Sequence, residues 1–338
     1  MEKISFVVPC YGSEKTISRV VSDIYELMKQ RDSYEYEIIL INDCSPDAVW
    51  QVIKRLCAQY PETVKGVSLA KNFGQHSALM AGYHLSKGDY VVTLDDDGQT
   101  PVGQTFALFD ELLEGEYDVV YARYEERKDN SFRKIGTLLN NVMLEVLLDK
   151  PKKIRLTSFF VARRFVIDEV CAYKNAFPYI WGLVLRTTHN IANVAIPHSS
   201  RIEGESGYTL KKLLGLWMNG FTAFSVKPLR ISSGIGMLCA LLGAVGVCFT
   251  VVNKLMHTQI PAGYSSLMSV LLIIGGILMI LLGLIGEYVG RIYLCINTMP
   301  QYIVREIFNS KGEMLDESGY AENVGFMEQE RWERQSDA

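Results

Sequence analysis

The chain has 338 residues, a formal net charge of −4, 49% hydrophobic residues and 21% charged ones. That length allows one large domain or two ordinary ones, and the mildly acidic balance lacks the basic footprint of a nucleic-acid binder. Seven cysteines (Cys10, Cys44, Cys57, Cys171, Cys239, Cys248, Cys295) are scattered without a C-x-x-C pair, which fits reduced, structural thiols better than a disulfide framework or a zinc site.

The apolar run Ile4 to Val8 is too short for a signal peptide and meets Pro9 at once, so the chain is expected to start in the cytosol. The run reads as a first strand, closed by Pro9-Cys10-Tyr11-Gly12-Ser13. Ile17, Val20, Val21, Ile24, Leu27 and Met28 then recur at helical spacing. Tyr36 to Ile41 reads as a second strand ending in Asn42-Asp43-Cys44-Ser45-Pro46, and a helix carrying Val49, Val52, Ile53, Leu56 and Tyr60 follows. Val64 to Leu69 is a third strand, before Lys71-Asn72-Phe73-Gly74 and a helix through Ala78, Leu79, Gly82 and Leu85. Tyr90 to Leu94 is a fourth, and Asp118 to Tyr121 a fifth after another helix. Strand–helix alternation at this spacing predicts an α/β fold with a mostly parallel, doubly wound sheet.

The fourth strand stops in Asp95-Asp96-Asp97-Gly98-Gln99-Thr100-Pro101. Carboxylates at the carboxyl end of such a strand can hold a hard divalent cation, which takes oxygen ligands and can bridge phosphates. An isolated D-x-D is also a common acidic, solvated turn, so its neighbours decide. Beyond residue 123 the alternation degrades, and Arg123, Arg127, Lys128, Arg133 and Lys134 form a basic cluster around Ser131. Val142 to Leu148 and Phe177 to Leu185 look helical, and Ile191 to Ile196 reads as a last strand before Arg201-Ile202-Glu203-Gly204. Lys211 to Phe224, with Trp217 and Phe221, suits either a helix in a membrane interface or one packed on the domain.

Ile235 to Val252 and Ala262 to Gly286 contain no charged residue. Both approach or exceed the length of about 20 residues that crosses a hydrocarbon core, so two membrane spans are expected. Lys211, Lys212, Lys227 and Arg230 before them, and Arg291 and Arg305 after, place both flanks in the cytosol and the short loop outside. From Ser310 the tail carries eight Asp or Glu against three Lys or Arg and is expected to be partly disordered. The expected organisation is therefore a cytosolic domain (1–208), an amphipathic segment (209–230), a transmembrane hairpin (231–290) and a cytosolic tail (291–338). The whole would be an integral plasma (inner) membrane protein with both termini cytoplasmic. Gly286-x-x-x-Gly290 offers a helix-packing motif through which a homo-oligomer could form.

The order Val7-Val8-Pro9-x-Tyr11, Asn42-Asp43-x-Ser45, Asn72-Phe73-Gly74, Gly88-Asp89-Tyr90-Val91-Val92-x-Leu94-Asp95-x-Asp97-x-Gln99-x-Pro101 and Lys227-Pro228-Leu229-Arg230 resembles the family-2 glycosyltransferases. It looks most like the branch holding dolichol-phosphate mannose synthase and bacterial polyprenyl-phosphate glycosyltransferases, over roughly residues 3 to 290. The resemblance implies a GT-A catalytic domain that inverts one sugar from a nucleotide sugar onto a polyprenyl phosphate such as undecaprenyl or dolichyl phosphate. It implies Pro9 and Tyr11 against the nucleotide base, Asp43 accepting from the base, and Asp95, Asp97 and Gln99 holding Mg²⁺ or Mn²⁺ and the donor diphosphate. It further implies Arg123, Arg127 and Ser131 on the lipid phosphate, Arg123 also reaching the donor, and Arg201 on a loop closing over the diphosphate. The same basic cluster would also suit anionic lipid at an interface.

Three positions depart from the family pattern. Gly12-Ser13-Glu14 replaces Asn-Glu-Glu, Ser158 replaces an acidic residue, and Gly207 replaces a lysine. They leave the sugar open, with UDP-glucose only weakly favoured. Two rivals stand beside this reading. A processive polysaccharide synthase would carry Gln-x-x-Arg-Trp before its membrane helices, where this chain has only Gln329-Glu330-Arg331-Trp332 in the tail. A catalytically silent membrane scaffold would not need the acidic motif.

Overall fold

The computed structural model describes residues 1–124, 145, 150–151, 153–196, 245, 264–296, 300–308 and 314–315. The chain divides into two units, Met1–Tyr208 with Pro300–Ala338, and Thr209–Met299.

The first unit is built on one nine-stranded sheet. Strand β1 (Lys3–Cys10), helix α1 (Ile17–Met28), β2 (Glu35–Asn42), α2 (Val49–Gln59), β3 (Val64–Leu69), α3 (Gln75–Leu85) and β4 (Tyr90–Thr93) alternate as the hydrophobic spacing predicts. A short 3-10 turn, α4 (Thr105–Glu114), β5 (Val119–Tyr124), β6 (Phe160–Arg163), α5 (Arg164–Cys171), α6 (Ile180–Thr187) and β7 (Ile191–Ile196) follow. The spatial order is β7-β5-β6-β4-β1-β2-β3-β8-β9, where β8 (Val304–Phe308) and β9 (Met314–Leu315) come from the C-terminal segment.

Strands β1, β2 and β3 pair in parallel, β1 also pairs in parallel with β4, and β5 with β7. Strand β6 is antiparallel to both neighbours, inserted between β4 and β5. The order reverses between β1 and β4, and a crevice at such a switch point is where open α/β sheets bind ligands. The core is continuous beneath it: Phe6, Val8, Ile38, Leu40 and Val92 from the strands meet Ile17, Ile24, Ile53 and Phe109 from the helices. Helix α3 approaches β1 and β2 so closely that a Cβ on Gly82 would stand 2.4 Å from Val7 and 2.7 Å from Ile41. Only glycine lets the backbone come that near.

Strand β8 extends the sheet beyond the domain expected from the sequence. It pairs antiparallel to β3, and Ala70 N donates to Ile303 O at 2.8 Å. Glu306 accepts from Trp50 Nε1 (2.6 Å) and from Lys54 Nζ (3.3 Å), while Gln301 Nε2 donates to Asn175 O at 2.9 Å. Cys10, Cys44, Cys57 and Cys171 are free thiols.

In the second unit the described element is α7 (Tyr264–Ile296), 33 residues long. Leu267, Val270, Leu271, Ile274, Leu278, Leu282 and Ile285 are exposed along it. Among the residues whose side chains are described, no helix shows an apolar stretch long enough to cross a membrane. The second expected span falls on α7, only part of whose side chains are described, and the first lies outside the described residues, as does the segment 209–230.

Candidate active site

Four strands deliver the loops that meet at the switch point. After β1, Tyr11 N donates to Asp96 Oδ2 at 2.8 Å, and Thr16 Oγ1 donates to Asp96 O at 2.6 Å. These bonds tie the first loop to the acidic one. Gly12 N donates to Ser45 Oγ (2.8 Å), whose hydroxyl in turn donates to Asp47 Oδ1 (2.6 Å), so the β2 loop is fastened to the same corner. Asn42 Nδ2 donates to Ser68 Oγ at 3.0 Å, linking the ends of β2 and β3.

Asp43 is buried, and both its oxygens accept backbone N–H groups, Phe73 and Gly74, each at 2.8 Å. Burial raises its pKa and those two bonds oppose the rise. Its immediate role is to clamp Asn72-Phe73-Gly74, where Gly74 takes φ +89°, a conformation that favours glycine. Helix α3 starts at the next residue, so Asp43 fixes where Gln75 and His76 begin.

The acidic loop is held from several sides. Asp95 accepts from Gln75 Nε2 on one oxygen (3.1 Å) and from Ser158 Oγ on the other. Asp97 accepts from Gln99 N at 2.9 Å and from Gln99 Nε2, which leaves the Gln99 amide oxygen uncommitted by that contact. Burial raises the pKa of Asp95, and the Asp97 charge adds to the rise. Asp96 is pushed up to about 6 by burial, against the Tyr11 hydrogen bond. Tyr124, at the end of β5, is pushed up to about 12, first by burial and then by the charge of Asp95. Among the described residues no ion pair reaches Asp95, Asp96 or Asp97.

This donor set fits a divalent cation. It offers hard oxygens from two carboxylates close enough to repel one another, plus an amide oxygen. Among the described residues no group of three or more His, Cys, Asp or Glu is arranged to hold a metal alone. A cation on Asp95 and Asp97 would therefore complete its shell from Gln99, water and a ligand phosphate, the manner in which Mg²⁺ is usually bound.

The remaining expected residues fall as follows. Tyr11 is 54% exposed beside the acidic loop, whereas Pro9 is buried within β1 opposite Ile41, so from this loop Tyr11 presents the open face. Arg123 is exposed in β5, one residue before Tyr124. Arg127, Ser131 and Arg201 lie outside the described residues. Gln75 was not singled out by the sequence, because only the fold brings it across 20 residues to Asp95. Ser158 stood out only as a departure; its hydrogen bond spans 63 residues and depends on β6 lying beside β4.

Residues 5–171 match the family described as Glycosyl transferase family 2, and residues 227–292 match the GtrB C-terminal hairpin. The uncharacterized glycosyltransferase YkcC of Bacillus subtilis (strain 168) is 33% identical over 92% of this chain and 96% of its own. The chain belongs to glycosyl transferase family 2. The undecaprenyl-phosphate 4-deoxy-4-formamido-L-arabinose transferase of Proteus mirabilis is 30% identical to this family-2 enzyme, over 92% of this chain and 95% of that one. Glucosyl-3-phosphoglycerate synthase from Mycobacterium tuberculosis, solved with Mn²⁺, UDP-glucose and phosphoglyceric acid, aligns with a TM-score of 0.48 at 21% identity, covering 65% of this chain and 77% of that chain. The sheet of this glycosyltransferase is the Rossmann-like, mostly parallel GT-A sheet.

Proposed function

We propose that this glycosyltransferase moves one sugar, with inversion, from a nucleotide sugar to a membrane polyprenyl phosphate. The observation that carries the reading is the acidic loop at the switch point, with Asp95 and Asp97 unpaired by any described cation. The relatives named for undecaprenyl phosphate, similar over nearly their whole length and including the hairpin region, support the acceptor. Two spans, at 235–252 and within 262–286, would keep the domain at the cytosolic face, where the phosphate of such a lipid lies.

Asp95, Asp97 and Gln99 would hold Mg²⁺ or Mn²⁺, which supplies positive charge to the departing diphosphate. Tyr11 offers an exposed aromatic face for the nucleotide base, beside the Asp43 clamp. Arg123, Arg127 and Ser131 would take the acceptor phosphate, and Arg201 would cover the diphosphate; Arg suits both because its fork bonds phosphate oxygens two at a time. The acceptor is an anion at neutral pH, since a phosphate monoester has its second pKa near ~6. One of its oxygens forms the new bond to the anomeric carbon as the bond to the diphosphate oxygen breaks, and the nucleoside diphosphate leaves with the electron pair. No strong general base is required, only positioning of two anions in line.

The test is purified full-length enzyme with labelled nucleotide sugars, UDP-glucose first, and undecaprenyl or dolichyl phosphate in detergent. A single sugar on the lipid with inverted anomeric configuration is expected. A retained anomer, a growing polymer, or preference for a soluble acceptor would sink the reading.

A further inference from the structure

Both carboxylate oxygens of Asp95 are engaged by the protein itself: Gln75 Nε2 donates to one at 3.1 Å, and Ser158 Oγ donates to the other. Neither donor is an ion, so together they orient the carboxylate without cancelling its charge. An ionised carboxylate has about four lone-pair sites, and one bond to each oxygen leaves capacity on both.

The two arms come from distant parts of the fold, and each is itself fixed. Gln75 opens α3 directly after Phe73 and Gly74, whose N–H groups Asp43 holds at 2.8 Å. Ser158 lies just before β6, and its neighbour Thr157 is pinned twice. The Thr157 hydroxyl donates to Ala122 O at 2.9 Å, and its carbonyl accepts the Trp181 indole N–H at 3.2 Å. Trp181 braces the first arm as well, because His76, the residue after Gln75, stands edge-on to its ring with centroids 5.5 Å apart. One aromatic residue on α6 thus touches the chain beside both donors.

We propose that Gln75 and Ser158 are positioning residues for the cation site: they hold Asp95 in one orientation beside Asp97, so that the carboxylate pair is set before the ion enters. The inference rests on the metal role given to Asp95 and Asp97 in the proposed transfer, and adds the residues that prepare it. A carboxylate already fixed gives up little rotamer freedom when an ion binds, whereas a loose one, repelled by Asp97, would turn away. Ser158 is the stronger arm, since its hydroxyl is half-buried and bonds a charged acceptor. Gln75 is exposed, and water competes for its longer bond.

The experiment measures Mn²⁺ binding rather than turnover. Full-length protein in detergent is titrated with Mn²⁺ and the free ion is read by spin resonance, first without nucleotide and then with UDP or GDP, each against a blank without protein. Wild type is compared with Ser158→Ala, Ser158→Thr, Gln75→Ala and, as a structural control on β8, Glu306→Ala, with thermal melting to count folded molecules. Ser158→Ala should weaken Mn²⁺ by about tenfold, the scale of losing a residue that orients a metal ligand, and Gln75→Ala by about threefold. Ser158→Thr keeps the hydroxyl and should stay within about twofold of wild type, as should Glu306→Ala. If Ser158→Ala does not fold, Gln75→Ala still decides, because it removes the other arm from an exposed position. Unchanged Mn²⁺ affinity in the folded Ser158 and Gln75 alanine variants, no rescue by threonine, or an equal loss in Glu306→Ala would overturn the proposal and leave the metal assignment standing. A wild type that binds no Mn²⁺ under any of these conditions would remove this inference together with the metal assignment. The expected Mn²⁺ pattern without transfer to polyprenyl phosphate would uphold the positioning role and break only the acceptor assignment.

Discussion

Glu37, near the start of β2, and Asp96, just past the end of β4, are carboxylates drawn out of bulk water at opposite ends of one sheet, and their surroundings push them in opposite directions. Around Glu37 stand Lys65 Nζ at 2.6 Å, Ser5 Oγ at 2.7 Å, Lys87 N at 2.6 Å and Lys3 Nζ at 3.5 Å. Burial alone would raise its pKa, but the Lys65 charge and these hydrogen bonds bring it down to about 2. Asp96 has the Tyr11 N–H and no described cation, and burial takes it up to about 6. The amino end of the sheet therefore carries a finished charge pair that holds strands together. The carboxyl end carries negative charge that no described cation pairs, and that is the end at which ligands bind in such sheets.

Removing a carboxylate should have opposite consequences at the two ends, and activity gives the largest contrast. Asp97→Ala should lower kcat by about a hundredfold or more, the scale seen when a group stabilising developing charge is lost. It should leave the melting temperature within a few degrees, because it removes a repelled charge. Chelation by EDTA should act in the same direction and be reversed by Mg²⁺ or Mn²⁺. Full turnover of Asp97→Ala in EDTA would erase the proposed distinction between the two ends.

At the other end the effect should appear in stability. Glu37→Gln removes the partner of Lys65, which is itself 23% exposed and can recover part of its hydration. A loss of roughly 3 kcal/mol is expected, near the lower end for breaking a buried pair. It should be read from the urea midpoint at constant m, with kcat per folded molecule unchanged.

The pH dependence of stability sharpens the same point. Glu37 titrates at about 2 when folded against 4.5 as a free carboxyl, so the folded value is the depressed one. Its contribution is complete above about pH 4.5 and is lost as the pH falls towards 2. At 1.36 kcal/mol per pKa unit this amounts to roughly 3 kcal/mol, the same as the substitution. Wild type and Glu37→Gln should therefore converge in stability at low pH. Parallel curves down to pH 2 would show that the Glu37–Lys65 pair is not what holds this end.

The carboxyl-end side of this contrast was legible in the sequence, for a physical reason. Strands β1 to β5 are short apolar runs separated by helices with apolar residues at helical spacing, and each signal is local. The acidic loop was equally plain, because Asp95 to Asp97 interrupt an apolar strand with three charges. Strand β6 was not read, since four residues without a clean alternation become a strand only when β4 and β5 flank them. Gln75 and Ser158 could not be assigned to Asp95 because that contact exists only through β6 and α3. The Glu37 cluster was invisible for the same reason, its partners lying 28, 32 and 50 residues away.

The smallest effect concerns the edge that the sequence placed outside the domain. Strand β8 enters the sheet after the chain has passed through the second unit, and Glu306 is its polar clasp on α2. The Trp50 indole N–H donates to Glu306 at 2.6 Å, Lys54 reaches its other oxygen at 3.3 Å, and Phe308 sets its ring edge-on to Trp50 at 6.2 Å. Lys54 is 36% exposed, so its ion pair contributes little; the indole bond to a carboxylate is the stronger part. Glu306→Ala should cost about 1 kcal/mol, the net worth of such a bond, without reaching the switch point. Hydrogen exchange should locate the loss: the amides that pair β3 with β8 should exchange about fivefold faster, while those pairing β1 with β4 keep their protection. Uniform acceleration across all strands would instead mean that β8 is integral to the core and that the edge opens only with the whole domain.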